Sequence, residues 1–484
     1  MSEFPRHPDS GTTAAPLPVA TAPRAGRLAL VRDAIRGAPI DYTSAPIGRA
    51  IVMLAVPMVM EMLMESIFVL ADVFWVSHLG ANAVAAVGLT ESLMTLIYTL
   101  AMGLSVGAMA VVARRIGEKN PEAAAIAAVQ SVALGLLVAA ALGFAGAANA
   151  STLLALMGAP ADVVAEGSGF TRVMLGGNAT VVLLFLINAV FRGAGDAAIA
   201  MRVLWLGNAI NIALGPCLIF GLGPFPELGI VGAAVATNIG RGTAVVYQLI
   251  TLARGRGRLH VGLRHLSIRP AIMLTVVRLS GTATLQILIG TSSYIGLVRI
   301  LSTFGSAALA GYTIGIRLII FALLPSFGIS NAAATMAGQN LGARRPDRAE
   351  RAVWQAAFYN MIFLGAVALI FIVGAGPIVR AFSADPVVHG YGVACLRIVS
   401  AGFLFYAYGM VLTSSFNGAG DTWTPTIINL FVFWIFEIPF AWVLAGPLGL
   451  QAYGVFIALA VAYSILAVVS AIVFKRGTWK TKRV

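Results

Sequence analysis

Charged residues are scarce in this sequence, at 11% of its 484 positions, where a soluble chain carries about a quarter. A soluble fold is excluded on that ground. Cysteine is nearly absent too. Cys217 and Cys395 both lie in apolar helical sequence, supporting neither a disulfide framework nor a metal cluster, and read as small core residues. His7, His78, His260, His265 and His389 fall in the tail, in loops or at span ends, none with a second ligand at metal spacing. There is no phosphate-binding loop of the Gly-x-x-x-x-Gly-Lys type, which argues against direct ATP drive. Gly193-Ala194-Gly195 follows an apolar span, not a strand, and is no dinucleotide fingerprint. No nucleophile–base pair stands out, so the chain is not read as an enzyme. The N-terminus lacks the charged-then-apolar layout of a signal peptide.

What is present is hydrophobic residue, 59% of the chain, in long blocks. The block from Ala123 to Ala150 has no charge and exceeds the roughly 20 residues that cross a bilayer core as a helix. About twelve such spans follow one another, from 50–77 to 452–474, the second over 85–110 and the eighth over 308–335. The net charge of +13 is confined to segments between them. These hold Arg114, Arg115 and Lys119; Arg254, Arg256, Arg258, Arg264 and Arg269; Arg344, Arg345, Arg348 and Arg351; and Lys475, Arg476, Lys480, Lys482 and Arg483. The alternate loops, His78 to Ala83, Gly221 to Gly229 and Gly446 to Gln451, carry no Lys or Arg. This is the positive-inside pattern rather than a nucleic-acid patch, and it puts both termini in the cytoplasm of a plasma membrane. Residues 1–45 read as a disordered or interfacial tail, in which Leu28, Val31 and Ile35 among Arg27, Arg32 and Arg36 suit a short helix lying on anionic lipid.

The chain repeats itself. A shift of 225 carries Gly80 onto Gly305, Gly103-Leu104-Ser105 onto Gly328-Ile329-Ser330, and Gly117 and Pro121 onto Gly342 and Pro346. It also carries Phe191-Arg192-Gly193-Ala194-Gly195-Asp196 onto Phe416-Asn417-Gly418-Ala419-Gly420-Asp421; beyond that the halves drift, and Gly232 pairs with Gly454. Each half has an even number of spans, so the repeats are parallel and the pathway is expected between them. The fold expected is an all-α integral membrane protein of about twelve transmembrane helices in two parallel-repeat six-helix bundles. Its parts are the tail, 46–253 and 271–475 as the bundles, a basic linker at 254–270 and a basic tail at 476–484.

Carboxylates inside a membrane are costly, about 2.5–3.5 kcal/mol each on insertion scales, and are functional candidates by default. Glu61, Glu65 and Asp72 share one face of the first span with Phe68, since separations of four and eleven residues close on nearly whole helical turns. Such a face lines a wet cavity or meets partners on other helices. It is the candidate site for the coupling ion and for cationic substrate; hydrogen bonding to neighbouring helices is the structural alternative. Gln286 and Glu437 in the second half, and Glu91 in the second span, are candidate cavity residues. Pro57, Pro216, Pro325 and Pro439 are candidate helix bends. Asp196 and Asp421 are read as caps of the helices after their Gly-Ala-Gly-Asp turns. Met53, Met58, Met60, Met62 and Met64 crowd the first span and suit packing or a promiscuous pocket.

Several motifs occur in order: Ala55-Val56-Pro57, Asp72-Val73-Phe74, Ala113-Arg114-Arg115-Ile116-Gly117, Arg192-Gly193-Ala194-Gly195-Asp196, Pro226 to Thr237, Gly338-Gln339-Asn340-Leu341-Gly342 and Gly418-Ala419-Gly420-Asp421-Thr422. Over most of residues 41–475 this order and spacing resembles the multidrug and toxic compound extrusion (MATE) transporters. The resemblance implies a V-shaped pair of bundles, alternating access, and export of organic, often cationic compounds driven by entering H⁺ or Na⁺. It implies no cofactor beyond that cation, small organic substrates and membrane lipids as partners, a monomer, and a bacterial inner-membrane location. Asp72 matches the family's first-helix aspartate, and Asn208 and Asn211 its fifth span; Asp72 and Asn211 would be the metal ligands if the ion is Na⁺. Gly215 stands where an aspartate is often found, so Glu61 or Glu65 is expected to compensate. Rival readings are a lipid-linked oligosaccharide flippase of the same superfamily, commonly with about fourteen spans, and a receptor or scaffold that transports nothing.

Overall fold

The computed structural model describes residues 26–482 and 484, so the first 25 residues of the expected tail at 1–45 lie outside the described residues. A short helix, α1 (Arg27–Arg36), precedes the first long one. It packs through Leu30 and Ala34 and leaves Leu28 and Val31 exposed. Then come α2 (Ile47–Ser77), α3 (Ala81–Gly117), α4 (Pro121–Ala148), α5 (Ala150–Leu156), α6 (Ala161–Gly176), α7 (Asn178–Ala194), α8 (Ala197–Phe220) and α9 (Gly229–Ala253). The second series is α10 (Pro270–Leu301), α11 (Ser306–Gly342), α12 (Pro346–Arg380), α13 (Pro386–Ala401), α14 (Phe403–Gly418), α15 (Trp423–Asn429), α16 (Ile438–Ala445) and α17 (Gln451–Lys475), with a π-helical stretch, Leu430–Glu437, joining α15 to α16. Among the described residues eleven spans are long and apolar enough to cross a membrane, and α13 with α14, bent by 58°, makes a twelfth. A helix satisfies its own backbone in lipid, which is why apolar blocks of this length can take no other form.

The repeat reaches the backbone. α3 and α11 begin and end 225 residues apart, at Ala81 and Ser306 and at Gly117 and Gly342. α9 and α17 keep a shift of 222, at Gly229 and Gln451 and at Ala253 and Lys475, which is the drift expected from Gly232 and Gly454. Even the left-handed residues are paired: Lys119 with Arg344 and Gly195 with Gly420 by 225, and Gly229 with Gln451 by 222. Both α3 and α11 run seven residues past the ends of their predicted spans, 110 and 335, because the apolar run stops before the helix does.

Packing within lipid rests on close van der Waals contact, so small residues sit where helices meet. At the basic end the halves are locked together. A Cβ on Gly117 would lie 2.0 Å from the carbonyl oxygen of Gln339, and one on Gly342 would lie 2.2 Å from that of Arg114. Gln339 Nε2 donates to the Gly193 carbonyl (2.9 Å), Thr335 Oγ1 to that of Arg192 (3.2 Å), and Arg114 Nη2 to those of Ala419 (3.1 Å) and Lys482 (2.7 Å). Along the spans the halves meet in the same basic half: a Cβ on Gly328 of α11 would press on the Met58–Val59 backbone of α2, and those on Gly103 and Gly107 of α3 would press on Thr284 and Ser280 of α10. Farther from the basic end, the apolar core around Tyr312, Phe403 and Phe456 takes in no first-half residue among those described, and Leu63, Ile67, Leu70 and Phe74 of α2 and Ile295 of α10 are exposed. The halves are joined at the basic end and separate toward the other.

Two expectations need correction. Neither aspartate of the repeated turns caps a helix with its side chain. Gly195 and Gly420 close the preceding helices in left-handed conformation, and the carboxylates turn to basic chain nearby. Asp196 Oδ2 accepts from the Arg258 backbone N–H (2.6 Å), while Asp421 Oδ1 lies 3.2 Å from Lys482 Nζ. Of the cysteines, Cys395 is buried as expected, but Cys217 is half-buried and donates to the Ala213 carbonyl on its own helix.

Candidate functional site

The acid face of α2 is present, and its members meet different neighbours. From Glu61 to Asp72 is eleven residues, about 16 Å along the axis at 1.5 Å per residue, from mid-helix toward the end where the halves separate. Glu61 is only 2% exposed; its Oε1 accepts from Asn188 Nδ2 of α7 (3.0 Å) and lies 3.7 Å from Arg192 Nη1. Asn188 Oδ1 in turn accepts from Gln248 Nε2 of α9 (2.7 Å), so the deepest acid is held in a buried polar relay. Such a carboxylate keeps its place only because charge and hydrogen bonds compensate its burial.

One turn on, Glu65 is half-exposed and joins three helices. Its Oε2 accepts from Asn208 Nδ2 of α8 (3.1 Å), and its Oε1 lies 3.8 Å from Arg241 Nη2 of α9. Arg241 is 4% exposed, donates to the Tyr98 hydroxyl of α3 (3.1 Å), and lies over the rings of Phe68 and Tyr98, 5.4 and 5.8 Å from their centroids. Asp72 and Glu91 are both half-buried and within electrostatic reach of the same guanidinium.

The structure therefore brings Glu65, Phe68 and Tyr98 together around Arg241, with Asp72 and Glu91 in its electrostatic field, Asn208 as a ligand of Glu65, and Glu61 paired separately with Arg192. Asn211 does not join: its Nδ2 donates to Thr237 Oγ1 of α9 (2.8 Å). Gln286 on α10 and Glu437 at the end of the π-helical stretch lie in the second half, and no hydrogen bond or ion pair among the described residues links them to the acid face. Each has a buried Oε1 without a partner. Among the described residues no group of three His, Cys, Asp or Glu side chains gathers as a metal site.

Arg241 is the residue that sequence reasoning passed over. It is the only charge in Gly229–Ala253 and stands at its middle, so the rule that singles out intramembrane carboxylates applies to it equally. Arg192 was visible only as part of the repeated turn; in space it is the counter-charge of Glu61.

Outside the spans, the linker is stitched to the first half. Glu122 at the start of α4 accepts from His265 Nε2 (2.6 Å) and pairs with Arg264, and Gln130 bridges Ser267 and Arg269. The His265 hydrogen bond, with the Arg264 charge, holds the Glu122 carboxyl below its ordinary value of 4.5. Burial pushes the Tyr42 hydroxyl up to about 12, against the Arg258 guanidinium stacked on its ring.

Comparison with known proteins bears on the family and the fold. The family model described as MatE matches twice, at residues 57–217 and 283–443. The probable multidrug resistance protein YoeA of Bacillus subtilis (strain 168) is 24% identical over 442 residues, covering 90% of this chain and 95% of its own. A protein of Shewanella oneidensis (strain MR-1) named FAD transporter is 26% identical over 401 residues, covering 82% and 88%. A solved structure described as the outward-facing conformation of a multidrug resistance MATE family transporter of the MOP superfamily superposes with a TM-score of 0.84. It is 27% identical and covers 93% of this chain and 98% of its own.

Proposed function

Because the chain belongs to the MatE family, a family of membrane transporters, we propose that it is a secondary active antiporter that exports organic cations in exchange for H⁺. The observation that carries this reading is the acid face of α2, with Glu61 buried against Arg192, Glu65 and Asp72 farther along the same membrane span, and Glu91 of α3 in the field of the same Arg241. Four carboxylates stand against two arginines, Arg192 and Arg241, so the surroundings favour a cation over an anion such as the one the Shewanella relative is named for.

Of the two coupling ions, H⁺ suits this site better. A Na⁺ at Asp72 would share the field of Arg241, and Gly215 supplies no second carboxylate from α8. A proton needs one carboxylate and no coordination shell. The positive-inside rule supports a cytoplasmic basic end, and on that reading the joined end faces the cytoplasm, as in an outward-open state. Export follows from alternating access. Protonation of the acid face neutralises the charge that holds the cation, substrate leaves to the outside, and the two bundles, 46–253 and 271–475, rock to open the basic end. A count of eleven to twelve spans among the described residues counts against the fourteen-span flippase reading.

Everted vesicles from cells producing the chain test the proposal. Energised vesicles should accumulate ethidium, and nigericin, which collapses the pH gradient, should abolish accumulation whether or not Na⁺ is present. Accumulation that survives nigericin and requires Na⁺ would reverse the choice of ion.

A further inference from the structure

Arg241 does something in this site that pairing alone does not require. Its guanidinium lies 3.8 Å from the Glu65 carboxylate of α2, and the charges of Asp72 on α2 and Glu91 on α3 act on it as well. It also meets the faces of Phe68 and Tyr98 and the Tyr98 hydroxyl. An aromatic face within about 6 Å plus a carboxylate is the recognition chemistry of a bound organic cation. Glu65 keeps 25% of its side chain exposed while Arg241 keeps 5%, so the carboxylate is the accessible member of the pair.

We infer that Arg241 is a tethered cation occupying the organic-cation subsite of the acid face, so that substrate and Arg241 compete for Glu65, Phe68 and Tyr98. The inference rests on the reading of the chain as a cation exporter. It gives the site a built-in means of release: when substrate leaves, the guanidinium takes its place, and no carboxylate is left unpaired in a membrane cavity. The ordinary alternative is a clamp that only holds α2, α3 and α9 together. The two differ in sign. Loss of a clamp loosens the pocket and weakens binding, whereas loss of a competitor tightens it.

The test is equilibrium binding of tetraphenylphosphonium at pH 8 to purified wild type, Arg241→Met, Arg241→Gln, Arg241→Lys and the double variant Arg241→Met with Glu65→Gln. Folding is checked by monodisperse elution and thermal melting. An intramolecular competitor acts at an effective concentration in the millimolar range, so its removal should tighten binding by about tenfold or more. Arg241→Lys should stay near wild type, and Glu65→Gln should erase the gain. Equal or weaker binding by folded Arg241→Met and Arg241→Gln overturns the inference and leaves cation export standing, as does failure of both variants to fold. No binding by any protein, wild type included, overturns the cation reading and this inference with it.

Discussion

Asn208 Nδ2 donates a 3.1 Å hydrogen bond to Glu65 Oε2, tying α8 to α2 two turns before Gly215. Glu65 thus brings a carboxylate to the helix that lacks one of its own. If it compensates for Gly215, Glu65→Gln should slow gradient-driven efflux at least tenfold, or by about 1.4 kcal/mol in the rate-limiting barrier. Glu61→Gln should act mainly on stability, since Arg192 loses its counter-charge. Unchanged efflux in both variants would make the compensation idea wrong.

Gly342 meets the backbone of Arg114 so closely that no side chain fits between them. Gly342→Val should therefore force the basic end apart, at a cost of about 1–3 kcal/mol to the closed state. Spin labels at the exposed positions Glu118 and Arg344 would report it as a longer distance than in the wild-type background. The same distance in both would mean that the seam adapts without opening.

Glu122 is held below 4.5 by His265 and Arg264, so its contribution to stability is present above that value and is lost as pH falls through the lowered one. Amide exchange in residues 254–269 should accelerate between pH 7 and pH 4 beyond the intrinsic pH effect. Glu122→Gln should remove that difference by being fast at both.

Orientation rests on charge alone. With Cys217 and Cys395 replaced by serine, a cysteine at Arg256 should resist a membrane-impermeant maleimide in intact cells and one at Gly223 should react. The opposite pattern would invert the transport direction.

Much of the fold was legible in the sequence because lipid leaves a long apolar block one conformation, and because Gly80, Gly117 and Gly195 have counterparts at a fixed shift. Helix ends were less legible: α3 and α11 continue past the apolar runs that mark their spans, into stretches with Arg114 and Arg115 or Gln339 and Asn340. The acid face was legible as angular arithmetic on one helix. Its partners were not, because Arg241, Tyr98, Asn188 and Arg192 come from other helices at separations that no local pattern encodes. The turn aspartates misled for a related reason: Asp196 turns to Arg258 in the linker, and Asp421 divides its carboxylate between Lys482 of the C-terminal segment and the Thr424 hydroxyl in the first turn of α15, rather than accepting from backbone N–H groups of the next helix.

The most direct test of coupled antiport at the acid face uses purified protein in liposomes. A fluorescent organic cation is followed under an imposed pH gradient, then under an imposed Na⁺ gradient, with wild type and Asp72→Asn compared. The account predicts flux driven by the pH gradient and lost in Asp72→Asn. Flux that persists undiminished in Asp72→Asn, or no flux in folded wild-type protein under either gradient, would contradict it.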